Sequence, residues 1–178
     1  GLTDFVGSAT DGKYVVVAFD FRSPHDPLEA KKSWFFFDHE YVCLGTGITA
    51  SAGLPIVTTL NQCLLLSPVV GMGENKKSVL DKGERKLQNV NWVFHDGVGY
   101  LFPKPADINL ANQAQSGSWY KINHQTDSPK EEISKDVFKL WLDHGSRPQN
   151  AGYAYIVIPS TTEKEMENQP CREIKILS

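Results

Sequence analysis

The dipeptide Asp96-Gly97 lies between two apolar runs, Asn91-Trp92-Val93-Phe94-His95 and Val98-Gly99-Tyr100-Leu101-Phe102, and it constrains the fold more than any other feature. In a two-residue hairpin turn of this type both central residues take positive φ, which Asp and Gly tolerate. Two antiparallel strands are therefore predicted here. The same grammar recurs along the chain. Lys13 to Phe21 and Lys32 to Asp38 are rich in β-branched and aromatic residues, as buried strands are. Glu40 to Gly45 follows after Asp38-His39, which predicts a second hairpin with a two-residue turn. Pro55 opens a strand over Ile56 to Leu66. Ser118 to Asn123, Val137 to His144, Tyr153 to Ile158 and Arg172 to Leu177 complete the set.

Strands about ten residues apart, separated by Gly, Pro, Asn and Asp, specify an all-β chain folded as a large antiparallel β-sandwich. Val15 to Phe19 and Trp34 to Phe37 are apolar at consecutive positions, so both of their faces should be covered. Helix signals are sparse. Ala106 to Gln115 is compatible with a short helix, although its Asn residues are poor helix formers. Ser160 to Pro170 is polar and reads as a surface loop or a boundary near 160–170.

With 178 residues, 40% of them hydrophobic, the chain is long enough for one globular domain that needs no metal or disulfide staple. The net charge of -3 has its signs interspersed, which argues against nucleic acid as a partner. The longest apolar run, Cys63 to Leu66, is far too short for a membrane span. No signal peptide is visible. Cys43, Cys63 and Cys171 form no CxxC or Cys/His cluster, so they read as free thiols rather than zinc ligands.

Several stretches, in order, resemble one family. They are Asp4 to Gly7 with Asp11 to Tyr14; Ala30 to Asp38 continuing through Val42 to Gly45 and Ile48; and Thr58 to Gln62. Trp92 with His95 to Pro103, then His144 to Ser146, and Asn150-Ala151 with Tyr153 to Tyr155 and Pro159 complete the series. Together they cover almost the whole chain and resemble polysaccharide lyase family 8, the hyaluronate, chondroitin and xanthan lyases. The resemblance implies the central β-supersandwich, a galactose-mutarotase-like sandwich. It further implies that residues 1–178 are one part of a larger lyase whose helical toroid carries the catalytic Asn, His, Tyr and Arg. That toroid has no counterpart in this chain. A secreted or periplasmic location follows from the resemblance as well.

The implied reaction is β-elimination at a uronic acid. A base removes the proton next to the carboxylate, an acid protonates the leaving oxygen, and the carboxylate charge is neutralised. His144, Arg147, Asn150, Tyr153 and Tyr155 bring together every side-chain type this needs, but the matching stretch belongs to the family's β domain. Gly145, Ser146 and Pro148 read as a turn beside it. No catalytic residue is therefore assigned. His95 with Asp96 resembles a tautomer-orienting pair, yet Asp96-Gly97 is better used as a turn. Substrate-binding candidates are Trp34 as a platform for sugar C–H faces, Asn61 for a hydroxyl, and Arg147 for a carboxylate or sulfate. Asp11 and Asp20, near the opening strand where the resemblance implies calcium, are candidate cation ligands. Calcium needs six or more oxygens, and a turn Asp and a solvated strand-end Asp are the favoured explanation of the two residues. No other cofactor is required.

Three functions compete. The first is a non-catalytic wall of a lyase cleft, packed against a helical domain and holding acidic polysaccharide. The second is an autonomous carbohydrate-binding module. The third is a self-sufficient enzyme on a mutarotase-like sandwich. Fold alone does not separate them; the stretch from Ala30 to Ile48 favours the first.

Overall fold

The computed structural model describes residues 2–73 and 76–168. Their elements are β1 (Val6–Thr10), β2 (Val15–Arg22), β3 (Leu28–Phe36), β4 (Tyr41–Ala50), β5 (Pro55–Leu64), β6 (Val69–Gly73), β7 (Lys76–Leu80), β8 (Gly83–His95), β9 (Val98–Gly117), α1 (Trp119–Asn123), β10 (Ile133–Ser146), β11 (Ala151–Pro159) and α2 (Glu163–Asn168). All strand pairs are antiparallel. The long path runs β1-β2-β3-β4-β11-β9-β8-β6-β7, and β10 joins β9 with β5 on its outer side.

The two longest strands, β8 and β9, turn this ribbon into a sandwich. The first part of β9 pairs with β11 through Val98 to Leu101, and its second part pairs with β10 through Asn109 to Gly117. Strand β8 accompanies both parts, with register shifts between Leu87 and Trp92. There Asn89 takes φ 52, and its N–H donates to the Asp107 carboxylate at 3.1 Å. Bulges of this kind bend a strand and increase its twist. The bend swings β10 and β5 over the sheet formed by β4, β11 and the first part of β9. Phe138, Leu140 and Leu142 of β10 thus meet Tyr100, Phe102, Val93, Tyr155 and Val157 in the main core. A second cluster, including Val42, Trp92, Leu101 and Ile156, occupies the opposite face of the main sheet and is closed by Met166 of α2. Side chains alternate across a strand, so Trp34 packs toward the first cluster and Phe35 toward the second. This is why the run from Trp34 is apolar at consecutive positions.

The hairpin at Asp96-Gly97 forms as the sequence predicts, with φ 48 and 77 at its two residues. The Asp38-His39 turn closes through the Phe37 N–H donating to the Glu40 carbonyl at 2.9 Å. Three expectations are corrected. Ala106 to Gln115 is not helical but the middle of β9, because β8 and β10 satisfy its backbone on both sides. Ser118 to Asn123 is not a strand: Trp119 to Asn123 form α1, ended by His124 in the left-handed region at φ 52. The polar segment after Ser160 contains α2, started by a reciprocal cap. The Glu165 N–H donates to the Thr162 hydroxyl at 3.2 Å, and the Thr162 N–H donates to the Glu165 carboxylate at 2.8 Å. Thr162-Glu163-Lys164-Glu165 carries that T-x-x-E signature openly. The strand expected over Arg172 to Leu177, and Cys171, lie outside the described residues.

Candidate functional site

The cluster that contains every side-chain type for elimination sits where β10 turns into β11. Strand β10 presents His144, whose Nε2 lies 2.8 Å from the Thr58 hydroxyl on β5. Its ring stacks near Tyr153 at 6.2 Å, and Tyr153 lies 5.6 Å from Tyr155. Tyr153 covers Gly45 of β4 so closely that a Cβ there would fall inside its ring. Burial holds the His144 imidazole below its usual range; the Asp143 carboxylate opposes this and Lys32 adds to it. Burial pushes the Tyr153 hydroxyl up to about 12 and moves Tyr155 in the same direction. A proton-transfer group works best with a pKa near the operating pH, and these tyrosines are tuned the other way. Arg147 and Asn150 occupy the exposed turn in the left-handed region, at φ 56 and 55. The Asn150 N–H donates to the Thr49 hydroxyl at 3.1 Å, which ties the turn to β4.

The substrate-binding candidates do not converge. Trp34 is half-buried against the main core and pairs with Val17 and Cys43. Asn61 faces inward because a register shift at Leu140 and Trp141 places both Leu60 and Asn61 on the core side. Its amide donates to the hydroxyl of Tyr100, a residue only 1% exposed, and contacts Cys63 Sγ at 3.6 Å. Among the described residues, no hydrogen bond or ion pair joins Arg147 to Trp34 or Asn61.

His95 serves the core rather than a dyad. It is 2% exposed, stacks on Phe138 at 4.5 Å, and places Nδ1 3.8 Å from Cys63 Sγ. Asp96 instead shapes the turn, with its N–H donating to the Ser67 hydroxyl at 3.1 Å. Burial lowers the His95 pKa, and the Asp96 charge only partly offsets this.

Asp11 and Asp20 are not brought together. Asp11 accepts the Lys13 and Tyr14 N–H groups at 2.9 and 2.7 Å in the β1–β2 turn, which holds its carboxyl below the ordinary value. Asp20 lies six residues beyond Tyr14 along β2, which at ~3.3 Å per residue is about 20 Å. Among the described residues no group of three or more His, Cys, Asp or Glu is placed to hold a metal ion. The donor set does not fit a calcium ion shared by these two carboxylates. Asp20 instead borders a hollow of about 720 Å³ with Phe5, Lys31 and Thr46. The hollow's floor is the cross-strand row Ala18, Ser33, Leu44 and Ala154, whose side chains are mostly short.

The outer face of β5, β10, β9 and β8 holds residues the sequence did not single out, Trp141 and Asn109 chief among them. The signal was present in β10, where Lys139, Trp141 and Asp143 alternate with Phe138, Leu140 and Leu142. Among the described residues no helix is long and apolar enough to cross a membrane.

Strand order and register together describe a bent antiparallel β-sandwich. The family model for the polysaccharide lyase family 8 super-sandwich domain matches residues 1–170. The chain belongs to polysaccharide lyase family 8. It is 45% identical over 169 residues to a chondroitinase-AC of Pedobacter heparinus, covering 93% of this chain and 23% of that protein. It is 32% identical to a xanthan lyase of a Bacillus species, covering 87% and 18%. A solved chondroitinase AC lyase, described with oligosaccharide complexes, superposes with a TM-score of 0.84 at 43% identity, covering 94% of this chain and 24% of that one. The chain thus spans about a quarter or less of the length of these relatives.

Proposed function

We propose that this chain is the supersandwich portion of a lyase that cleaves acidic polysaccharides of the hyaluronan or chondroitin type by β-elimination. In that enzyme it forms one wall of the substrate cleft and supplies no catalytic group. The observation that carries the reading is the 45% identity to a chondroitinase-AC across 93% of the chain. The chemistry agrees with a non-catalytic role. Elimination needs a base and an acid poised near neutral pH, with a partner for the uronate carboxylate. Tyr153 is pushed to about 12, His95 is enclosed in the core, and His144 is engaged with Thr58. The catalytic groups therefore belong to a helical domain packed against this one. Trp34 and Arg147 are the wall residues from this chain, while Asn61 is bonded to Tyr100 in the core. A secreted or periplasmic location fits a polymeric substrate that does not enter cells.

The test has two arms. The pure 178-residue chain is incubated with hyaluronan and with chondroitin, and ultraviolet absorbance of the unsaturated uronate product is followed. No product is expected; steady formation would overturn the non-catalytic role and promote the cluster from His144 to Tyr155. The polypeptide of the complete open reading frame is then assayed alike. Product on either polymer supports the lyase reading, and inactivity on both refutes it.

A further inference from the structure

We infer that the hollow bordered by Asp20 and Phe5 is a saccharide-binding site for a neutral N-acetylhexosamine residue, on the reverse of the sheet face that carries Trp34. The inference rests on the acidic-polysaccharide reading for its ligand class, because hyaluronan and chondroitin alternate such a residue with a uronate.

Register places the site. Ser33 and Trp34 are adjacent in β3, so their side chains leave the sheet on opposite sides. Trp34 packs toward the main core, and Ser33 lines the hollow. Ala18, Ser33, Leu44 and Ala154 stand in one cross-strand row. Three steps of about 4.8 Å make this floor about 14 Å long, room for a short oligosaccharide. The volume of about 720 Å³ falls within the roughly 300–1,000 Å³ typical of ligand sites.

An aromatic surface closes one end. The Phe5 ring lies against β1, 3.6 Å from where a Cβ on Gly7 would stand, and Gly7 pairs with Ala18 of the floor. Phe5 is 58% exposed. A ring held flat and open in this way suits the apolar C–H groups of a sugar.

Polar groups surround the floor without partners of their own. Asp20 and Lys31 stand directly opposite in the β2–β3 pairing, where Cβ atoms are about 5 Å apart, yet no ion pair closes between them. Among the described residues the side chains of Asp20, Lys31, Ser33 and Thr46 make no hydrogen bond or ion pair. A group that donates to Asp20 and accepts from Lys31 completes the pair. An acetamido group does both, through its N–H and its C=O. Its methyl then rests on the apolar floor of Ala18, Leu44 and Ala154, and Ser33 and Thr46 remain for ring hydroxyls.

Charge selects the sugar further. Register assigns this face Asp20, Arg22, Glu29 and Lys31 from β2 and β3, and Arg22 is closed on Glu29 at 3.0 Å. Strands β1, β4 and β11 add no charged residue. Two cations against two carboxylates give no net attraction for a polyanion, so the neutral residue of the repeat fits where the uronate does not.

The experiment is a two-dimensional methyl NMR titration of the 178-residue chain with triacetylchitotriose, which carries acetamido groups, and with cellotriose, which has hydroxyls in their place. The Ala18 and Ala154 methyl signals are assigned by single Ala→Gly replacements. Saturable shifts of both are expected with triacetylchitotriose. Affinity should fall about tenfold with cellotriose, and to a similar extent in Asp20→Ala and in Phe5→Ala. Both replaced residues lie outside the two core clusters, so Tm should stay unchanged in these variants. Unmoved methyl signals overturn the inference, as does equal affinity for cellotriose or undiminished binding in both variants. Hyaluronan tetrasaccharide then tells the two surfaces apart. Shifts confined to the Trp34 indole would leave the cleft-wall reading standing while removing this one, and shifts confined to Ala18 and Ala154 would do the reverse.

Discussion

Replacing Asn61 by alanine removes the hydrogen-bond partner of a tyrosine hydroxyl that is almost fully enclosed. Asn61 was a candidate sugar ligand, so the substitution separates a core role from a binding role. A buried hydroxyl left without a partner costs about 1–3 kcal/mol, whereas removing both partners together costs much less. Asn61→Ala should therefore destabilise by about 1–3 kcal/mol. Tyr100→Phe should cost only about 0.5–1.5 kcal/mol, because Asn61 is partly exposed and keeps its contact with Cys63. The double variant should fall short of the sum of the singles by ~1 kcal/mol, the coupling of one hydrogen bond. In a chain of this length each kcal/mol shifts Tm by roughly 2–4 °C, so Asn61→Ala alone should lower it by roughly 2–12 °C. Equilibrium urea unfolding, followed by tryptophan fluorescence and far-UV circular dichroism, measures all four corners of the cycle. Additivity within about 0.3 kcal/mol would refute the pairing. So would an Asn61→Ala variant of unchanged stability and weakened hyaluronan binding, which would place Asn61 at the sugar instead of the core.

Stability should fall in alkali: burial raises Tyr100 and Tyr153 from 10.0 to about 12. The unfolded chain then releases these protons first, so stability is full below pH 10 and declines as pH rises toward about 12. The urea midpoint across that window should drop, and less steeply in Tyr153→Phe; a flat midpoint would contradict the burial of these rings. Gly45→Ala should destabilise by about 1–3 kcal/mol through overpacking, because the added methyl meets the Tyr153 ring. Gly45→Ala/Tyr153→Ala should recover part of the loss in thermal unfolding, and no recovery would mean that the strain lies elsewhere.

Much of this protein was determined by its sequence alone. Asp96-Gly97 specified a hairpin because positive φ is a local steric matter, and the alternation in β10 already separated an inner from an outer face. The stretch from Ala30 to Ile48 carried the family. Elements whose state depends on distant partners were not legible locally. Ala106 to Gln115 has weak propensities of either kind, and it is a strand because β8 and β10 flank it. The inward turn of Asn61 follows from a one-residue register shift that only pairing reveals. Asp11 and Asp20, nine positions apart in sequence, stay apart because Asp11 sits in the turn before β2 and Asp20 lies well along that extended strand. Asn109, ordinary in a polar stretch, becomes a buried residue only when β10 and β8 close around it. Turn geometry and alternation are properties of a few adjacent residues; burial and pairing depend on contacts between segments far apart in the chain, and those exist only after the ribbon has bent over at β8 and β9.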